Sequence, residues 1–195
     1  MFWGINLKKE KKLNKTEKAL INGIVDLMKE KKLSDITVTE LADHINLHRC
    51  TFYLHFMDIK DLVEHIENEI LDELYKILDK YPDISVQNNF AQLFEEILSL
   101  MVNNKEICMA IIGKNGDPDF MEKITSILIE YIKNKGWLNN YPNVKEYEYE
   151  YYYTFIIAGI ISILQKWVLS NMKDEPIVIA SFLEKICLKG LESLK

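Results

Sequence analysis

An all-α protein is what this sequence predicts, and three observations predict it. Seven Gly and four Pro punctuate 195 residues, too few for the many turns of a sheet protein. Apolar residues recur at three- and four-residue intervals through long stretches, which is the spacing of an amphipathic helix. Some of these stretches open on helix-start signals, among them Asp117-Pro118 and Asp174-Glu175-Pro176. There an acidic residue precedes a proline at the first helical position. The fractions of hydrophobic (48%) and charged (28%) residues suit a globular chain with a proper core.

Residues 1–14 form a Lys-rich lead. It reads either as a solvated tail or as an arm that follows phosphate or the minor groove. A first helix is expected from Thr16, as cap, to Lys31, with Leu20, Ile24, Leu27 and Met28 as its buried stripe. Thr37 and Glu40 are spaced as a capping box, so a second helix should start at Val38. Val38, Leu41, Ala42 and Ile45 share one face of it. Asn46 suits the left-handed conformation of a sharp turn, and Leu47 should tuck beneath that turn. His48 stands where the third helix needs a cap, and is a poor one. In this third helix Phe52 and Phe56 face inward, leaving Arg49, Thr51, Tyr53, Leu54 and His55 to face out or sit at the margins. A fourth helix should run from Asp58 to about Tyr81, where Pro82 stops it. It is long enough to link two domains, placed here at 1–60 and 61–195. Five more helices are expected near 86–103, 105–112, 118–135, 145–171 and 176–193, with Gly113, Asn115 and Gly116 breaking the chain before Pro118.

The third helix is where chemistry concentrates. Arg can bind guanine through two parallel hydrogen bonds, Thr can touch a thymine methyl, and Tyr and His can hold phosphates. Arg49 is the single arginine; the other twenty-three basic residues are Lys. The net charge of −6 looks wrong for a DNA-binding protein until it is divided. Residues 1–60 carry eleven Lys/Arg against eight Asp/Glu, a net of +3, leaving −9 in the remainder. The basic end can meet phosphate while the acidic end stays off the duplex.

The run Thr51-Phe-Tyr-Leu-His-Phe56, followed by Asp58, Lys60 and Leu62, resembles the signature of the TetR family of bacterial transcriptional regulators. So does its setting: Lys15-Thr16, Ile36-Thr37-Val38 and Leu41-Ala42. The close match covers roughly 15–62. Gly116-Asp-Pro-Asp-Phe120 and Gly159-Ile-Ile…Trp167 further resemble a subgroup common in low-GC Gram-positive bacteria. Three positions depart from the family pattern. Asn46 and Cys50 stand where Gly is frequent, and Ile59 stands where Lys is usual, with Lys60 one residue later.

The resemblance implies a three-helix helix-turn-helix domain and a helical effector-binding and dimerisation domain. It implies a ligand-responsive regulator, expected to be a repressor, that binds a palindromic operator as a homodimer through its last two helices. An activator on the same fold is the alternative. The implied DNA-binding residues are Lys15, Thr16, Thr37, Arg49, Cys50, Thr51, Tyr53, Leu54, His55 and Lys60. Candidates for an effector pocket are His65, Met101, Cys108, Met109, Phe120, Trp137, Tyr153 and Trp167, each of which also suits ordinary core. The tyrosines of 147–153 would suit a ligand with apolar and hydrogen-bonding parts. Phe155, Ala158, Gly159 and Ser162 lie at spacings that let another backbone approach. Ile177, Ile179, Ala180, Phe182, Leu183, Ile186 and Leu191 give the last helix a wide apolar surface, for core or for a partner.

Other chemistry is weakly signalled. His44 and His48 are four apart but span a turn, so no metal site is expected. The three cysteines, without a CxxC pair, indicate neither a disulfide framework nor structural zinc. Cys50 could be a redox switch or simply a small residue. No nucleophile–base pair and no Gly-rich phosphate loop is found, so neither an enzyme nor a cofactor is expected. No signal peptide is evident, and the longest apolar run, Phe155 to Leu164, is short for a bilayer. A cytoplasmic protein with no membrane partner is the expectation.

Overall fold

The structure, a computed structural model, describes residues 15–81, 89–134 and 145–192. The Lys-rich lead, Pro82 and Trp137 lie outside them. The described residues form helices: α1 (Lys15–Glu30), α2 (Val38–His44), α3 (Arg49–Tyr53), α4 (Ile59–Asp79), α5 (Asn89–Asn103), α6 (Lys105–Ile112), α7 (Pro118–Asn134), α8 (Glu146–Leu169) and α9 (Pro176–Glu192), with a short 3₁₀ turn at Leu33–Asp35. The expected all-α class is observed.

The first three helices make a small head. Leu20 and Ile24 of α1, Leu41 of α2 and Phe52 of α3 are fully buried against one another and against Leu62 of α4. Gly23 lets α2 lie close on α1, since a Cβ there would overlap Ile45. The turn between α2 and α3 is made by Asn46, at φ 53°, and Leu47 follows with its N–H on the Ala42 carbonyl at 2.8 Å.

Caps set the boundaries, with some differences from expectation. The Thr37 hydroxyl accepts from the Glu40 N–H at 3.2 Å. The reciprocal half of the box is absent, because the Glu40 carboxylate accepts from Lys31 Nζ at 2.7 Å instead. His48 proves a working cap: its Nδ1 accepts from the Cys50 N–H at 3.2 Å. A ring nitrogen can do what a hydroxyl does when its lone pair faces the helix end. Helix α1 begins at Lys15, so Thr16 lies within its first turn. Asp58 caps α4 through the Asp61 N–H at 2.8 Å, and Asp61 accepts from the Met57 N–H at 2.7 Å.

Helix α4 is the axis of the molecule. Leu62, Val63 and Ile66 near its start lie in the core beneath the head, and Leu74, Ile77 and Leu78 near its end lie among α5–α8. A loop pins the head from the other side. Asn115 Nδ2 donates to the Met28 carbonyl at 2.9 Å, and the Leu33 N–H donates to the Asn115 carbonyl at 3.0 Å. Gly116 allows this tight loop, since a Cβ there would strike the Ile111 and Ala110 carbonyls. Lys29 of α1 also pairs with Glu106 of α6 at 2.8 Å.

The last two helices are apolar on more than their inward faces. In α9, Ala180, Leu183 and Cys187 are buried while Ile177, Val178, Phe182 and Ile186 are exposed. In α8, Ile156, Ile157, Ile160, Leu164 and Trp167 point inward while Phe155 is 73% exposed. A Cβ on Gly159 would meet nothing within 4 Å. The stretch Tyr147–Leu169 is long and apolar enough to cross a bilayer by length and composition. It is longer than the apolar run Phe155–Leu164 because it also takes in tyrosines, Gln165 and the charged Glu148, Glu150 and Lys166.

Candidate nucleic-acid interface and effector cavity

The head presents α3 as its outer edge. Phe52 is fully buried, and Phe56 follows it into the core with its N–H on the Phe52 carbonyl at 3.0 Å. This anchor turns the opposite side of the helix outward. Arg49 and Cys50 are exposed, Tyr53 is 57% exposed and Leu54 81%. These four form a strip, each of the first two one helical turn from one of the last two. The Tyr53 ring stands edge-on to Phe52 at 5.6 Å between centroids, which fixes its base while its hydroxyl end projects. An unpaired apolar Leu, a phenol and a guanidinium on one strip offer thymine-methyl, phosphate and guanine contacts.

The remaining candidates surround this strip. Thr51 is half-buried. His55 is braced between helices, with Nδ1 3.5 Å from Glu17 Oε1 and its ring beside Phe56. Lys15 is exposed and Thr16 half-buried in the first turn of α1, where helix N–H groups favour an anion. Thr37 is exposed, with its hydroxyl used as the α2 cap. Lys60 is exposed in the first turn of α4, 3.8 Å from Glu64.

The body holds a cavity of about 90 Å³ among α4–α8. Met101, Cys108 and Phe120 line it, as do residues that pattern reading did not single out. These include Leu74 and Leu78 of α4, Phe90, Phe94 and Leu98 of α5, Ile124 and Leu128 of α7, and Ile160 and Leu164 of α8. Among the described residues no charged side chain lines it. Its surface is apolar: Asn104 and Tyr131 line it without presenting a polar atom, and the Tyr131 hydroxyl donates to the Tyr81 carbonyl at 2.7 Å instead. Burial pushes the Cys108 thiol up to about 12, so it lines the wall as a small apolar group.

Other candidates stand away from this lining. Met109 packs at the edge of the core. His65 lies under the head, its ring 5.5 Å from Phe56 and its Nε2 3.4 Å from Glu69. Trp167 is buried with Nε1 donating to the Asp174 carbonyl at 2.9 Å, closing the α8–α9 corner. Tyr153 belongs to a separate apolar cluster with Ile132, Ile157 and Ile161. Burial pushes its phenol up to about 12. Aromatic and Met residues at helical spacing mark an inward face, but not which part of the interior stays unfilled.

Residues 88–189 match a family model described as the C-terminal region of TetR-type transcriptional regulators. The chain belongs to the TetR family of transcriptional regulators. No curated protein matches it in sequence. Among solved structures, a TetR-like transcriptional regulator from Rhodococcus sp. RHA1 is similar over 93% of this chain and 99% of its own, at TM-score 0.69 and 14% identity. FadR from Bacillus subtilis, solved in complex with stearoyl-CoA, is similar over 89% of this chain and 98% of its own, at TM-score 0.63 and 16% identity. The dihydroxyacetone kinase operon activator DhaS is similar over 93% and 98%, at TM-score 0.58 and 15% identity. At such identities the likeness is one of fold. It accords with a TetR-family body built around α4 and with a head formed from the first three helices.

Proposed function

We propose that this TetR-family chain is a ligand-responsive, sequence-specific DNA-binding regulator acting in the cytoplasm. Residues 1–60 form its DNA-binding head, and 61–195 its effector-binding and dimerisation domain. The observation that carries the reading is the two-sided build of α3: Phe52 and Phe56 hold it to the core, and Arg49, Cys50, Tyr53 and Leu54 face solvent. Arg49 is assigned to guanine, Leu54 and Thr51 to apolar or hydroxyl base contacts, and Tyr53 to phosphate. Lys15, Thr16, Thr37 and Lys60 add phosphate contacts, and His55 supports α3 through Glu17.

A homodimer is part of the proposal. The exposed Phe155, Ile177, Val178, Phe182 and Ile186, with open space over Gly159, suit a partner's copies of α8 and α9. Two-fold symmetry would set the recognition helices about 34–36 Å apart, one DNA turn, and so select a palindromic site. An apolar effector in the cavity supplies the response. At about 90 Å³ the cavity is smaller than the ~300 Å³ of ordinary ligand sites, so a sizeable effector must displace its walls. One wall is α4, whose first turns lie under the head. The effector thereby favours a different spacing of the two heads, as a population shift. Repression, relieved by effector, is the simplest outcome; the fold neighbour named as an operon activator supports activation as the second reading.

The test is retention of duplex DNA by the purified protein over excess nonspecific competitor. Retention that falls steeply with salt is expected, since phosphate contacts release counterions. Loss of all duplex to competitor would count against the reading.

A further inference from the structure

The loop between α6 and α7, residues 113–117, is built to hold one residue in place. Gly113 and Gly116 lie so close to the end of α6 that a Cβ would strike the Met109 carbonyl at the first and the Ile111 carbonyl at the second. The Gly116 N–H donates to the Gly113 carbonyl at 3.1 Å, and the Asp117 carboxylate accepts from the Asp119 N–H at 2.9 Å. Pro118 then opens α7 with its φ fixed. Between these constraints stands Asn115, half-buried.

Asn115 serves the head and not its own loop. The Met28 carbonyl is among the last four of α1, which a helix leaves to outside partners. The Leu33 N–H is the first of the 3₁₀ turn and has no partner inside that turn. Asn115 answers both: Nδ2 donates to Met28 at 2.9 Å, and its backbone carbonyl accepts from Leu33 at 3.0 Å. The amide has one workable orientation, because exchanging its oxygen and nitrogen would set two oxygens together. The other link nearby, Lys29 to Glu106 at 2.8 Å, is exposed to water on both sides and holds weakly. One body residue thus fixes the corner between α1 and α2 through two backbone groups that those elements leave open.

The helices on either side of the loop wall the cavity. Cys108 and Ile112 of α6 and Phe120, Met121 and Ile124 of α7 line it. Ile112 and Phe120 flank Asn115 closely in the chain, so displacement of these walls displaces the loop. We infer that Asn115 is the positioning residue that sets the head against the body, and that filling the cavity unseats it from Met28 and Leu33. Seated and unseated Asn115 are two arrangements that cavity and head both bias, which is what coupling requires. Helix α2 rests on α1 at Gly23 and carries α3 behind the Asn46 turn, so the recognition helix turns with that corner. The link to the cavity rests on the proposed effector role of the cavity; the positioning role does not.

The test reads head orientation in the full chain by pulsed electron spin resonance. One nitroxide is placed on Cys50, the exposed cysteine of α3, and one on Lys173→Cys, at the exposed corner between α8 and α9. Dilution with unlabelled chain leaves the intrachain distance. Asn115→Asp keeps the side-chain shape but cannot donate to Met28, and Asn115→Ser is too short to reach it. Either should at least double the width of the distance distribution, while Lys29→Ala leaves it unchanged. An unchanged width in the Asn115 variants, or equal broadening by Lys29→Ala, would overturn the inference. The wild type is probed with butylbenzene. Benzene alone fills cavities of roughly 150 Å³, so butylbenzene exceeds the 90 Å³ present. It should broaden the same distribution and quicken exchange of the Leu33 amide at least tenfold, an arm that stands by itself should the Asn115 variants fail to fold. Bound butylbenzene that moves neither readout would overturn the coupling. Butylbenzene that fails to bind in calorimetry would count against the cavity as effector site, and broadening in the Asn115 variants would still establish the positioning role.

Discussion

At the scale of the residue, small choices decide what each position can do. Asn46 adopts φ 53° between α2 and α3, a conformation that branched side chains resist. Asn46→Val should therefore lower stability by roughly 1–2 kcal/mol, with Asn46→Gly near neutral, in urea unfolding. The cysteines divide by environment. Cys108 and Cys187 are buried, with thiols pushed up to about 12 by desolvation, while Cys50 is exposed on α3. Ellman's reagent on the native protein should label one thiol per chain quickly and the other two upon denaturation; rapid labelling of all three would contradict the burial. The inward pair Phe52 and Phe56 was legible from spacing alone, as was the turn at Asn46. The His48 cap was not, since cap preferences rank residue types and His48 works through the direction of one ring nitrogen.

At the scale of the element, α4 joins head and body through groups on both. Glu67 of α4 is 0% exposed and accepts from Lys123 of α7 at 2.7 Å. Burial holds its carboxyl above the usual range, with Lys123 pulling it down and Asp117 and Glu64 adding to the rise. Lys123 is raised by the same bond. The desolvation falls mainly on the carboxylate, so the pair favours the lysine's charge while the glutamate still titrates high. A raised carboxyl binds its proton more tightly in the folded state. Its contribution to stability therefore falls as pH rises from the unfolded value of 4.5 through the folded one. Urea unfolding between pH 4.5 and 7 should show wild type losing stability relative to Glu67→Gln. Equal pH slopes would contradict the assignment. Lys123 acts above its ordinary 10.5 and does not enter that window.

Helix positions were the most legible part of the molecule. Asp117-Pro118 and Glu175-Pro176 mark the starts of α7 and α9 because proline and an acidic neighbour act locally. The cavity was much less so. Met101, Cys108 and Phe120 line it, but so do ordinary Leu and Ile residues, because periodicity shows which face turns inward and not where packing leaves space.

At the scale of the whole molecule, the outer faces of α8 and α9 carry the proposed dimer. Phe155→Glu combined with Phe182→Glu should shift the protein from dimer to monomer in light scattering, since each places a charge on an apolar surface that the partner would bury. An unchanged dimer would move the interface elsewhere. The charge asymmetry of the chain was readable without any structure. The doubled apolar character of α9 was visible as well, yet its division into an inward set and an exposed set depends on how α9 lies along α5.

Selection of duplexes from a random-sequence pool, with wild type and Arg49→Ala in parallel, tests the central claim most directly. Wild type should enrich one two-fold symmetric sequence. The variant should bind that sequence roughly ten- to hundred-fold more weakly, with relaxed preference at the guanine it reads. Enrichment of the same sequence at equal affinity by Arg49→Ala, or of no sequence by wild type, would contradict the assignment of α3 as the reading helix.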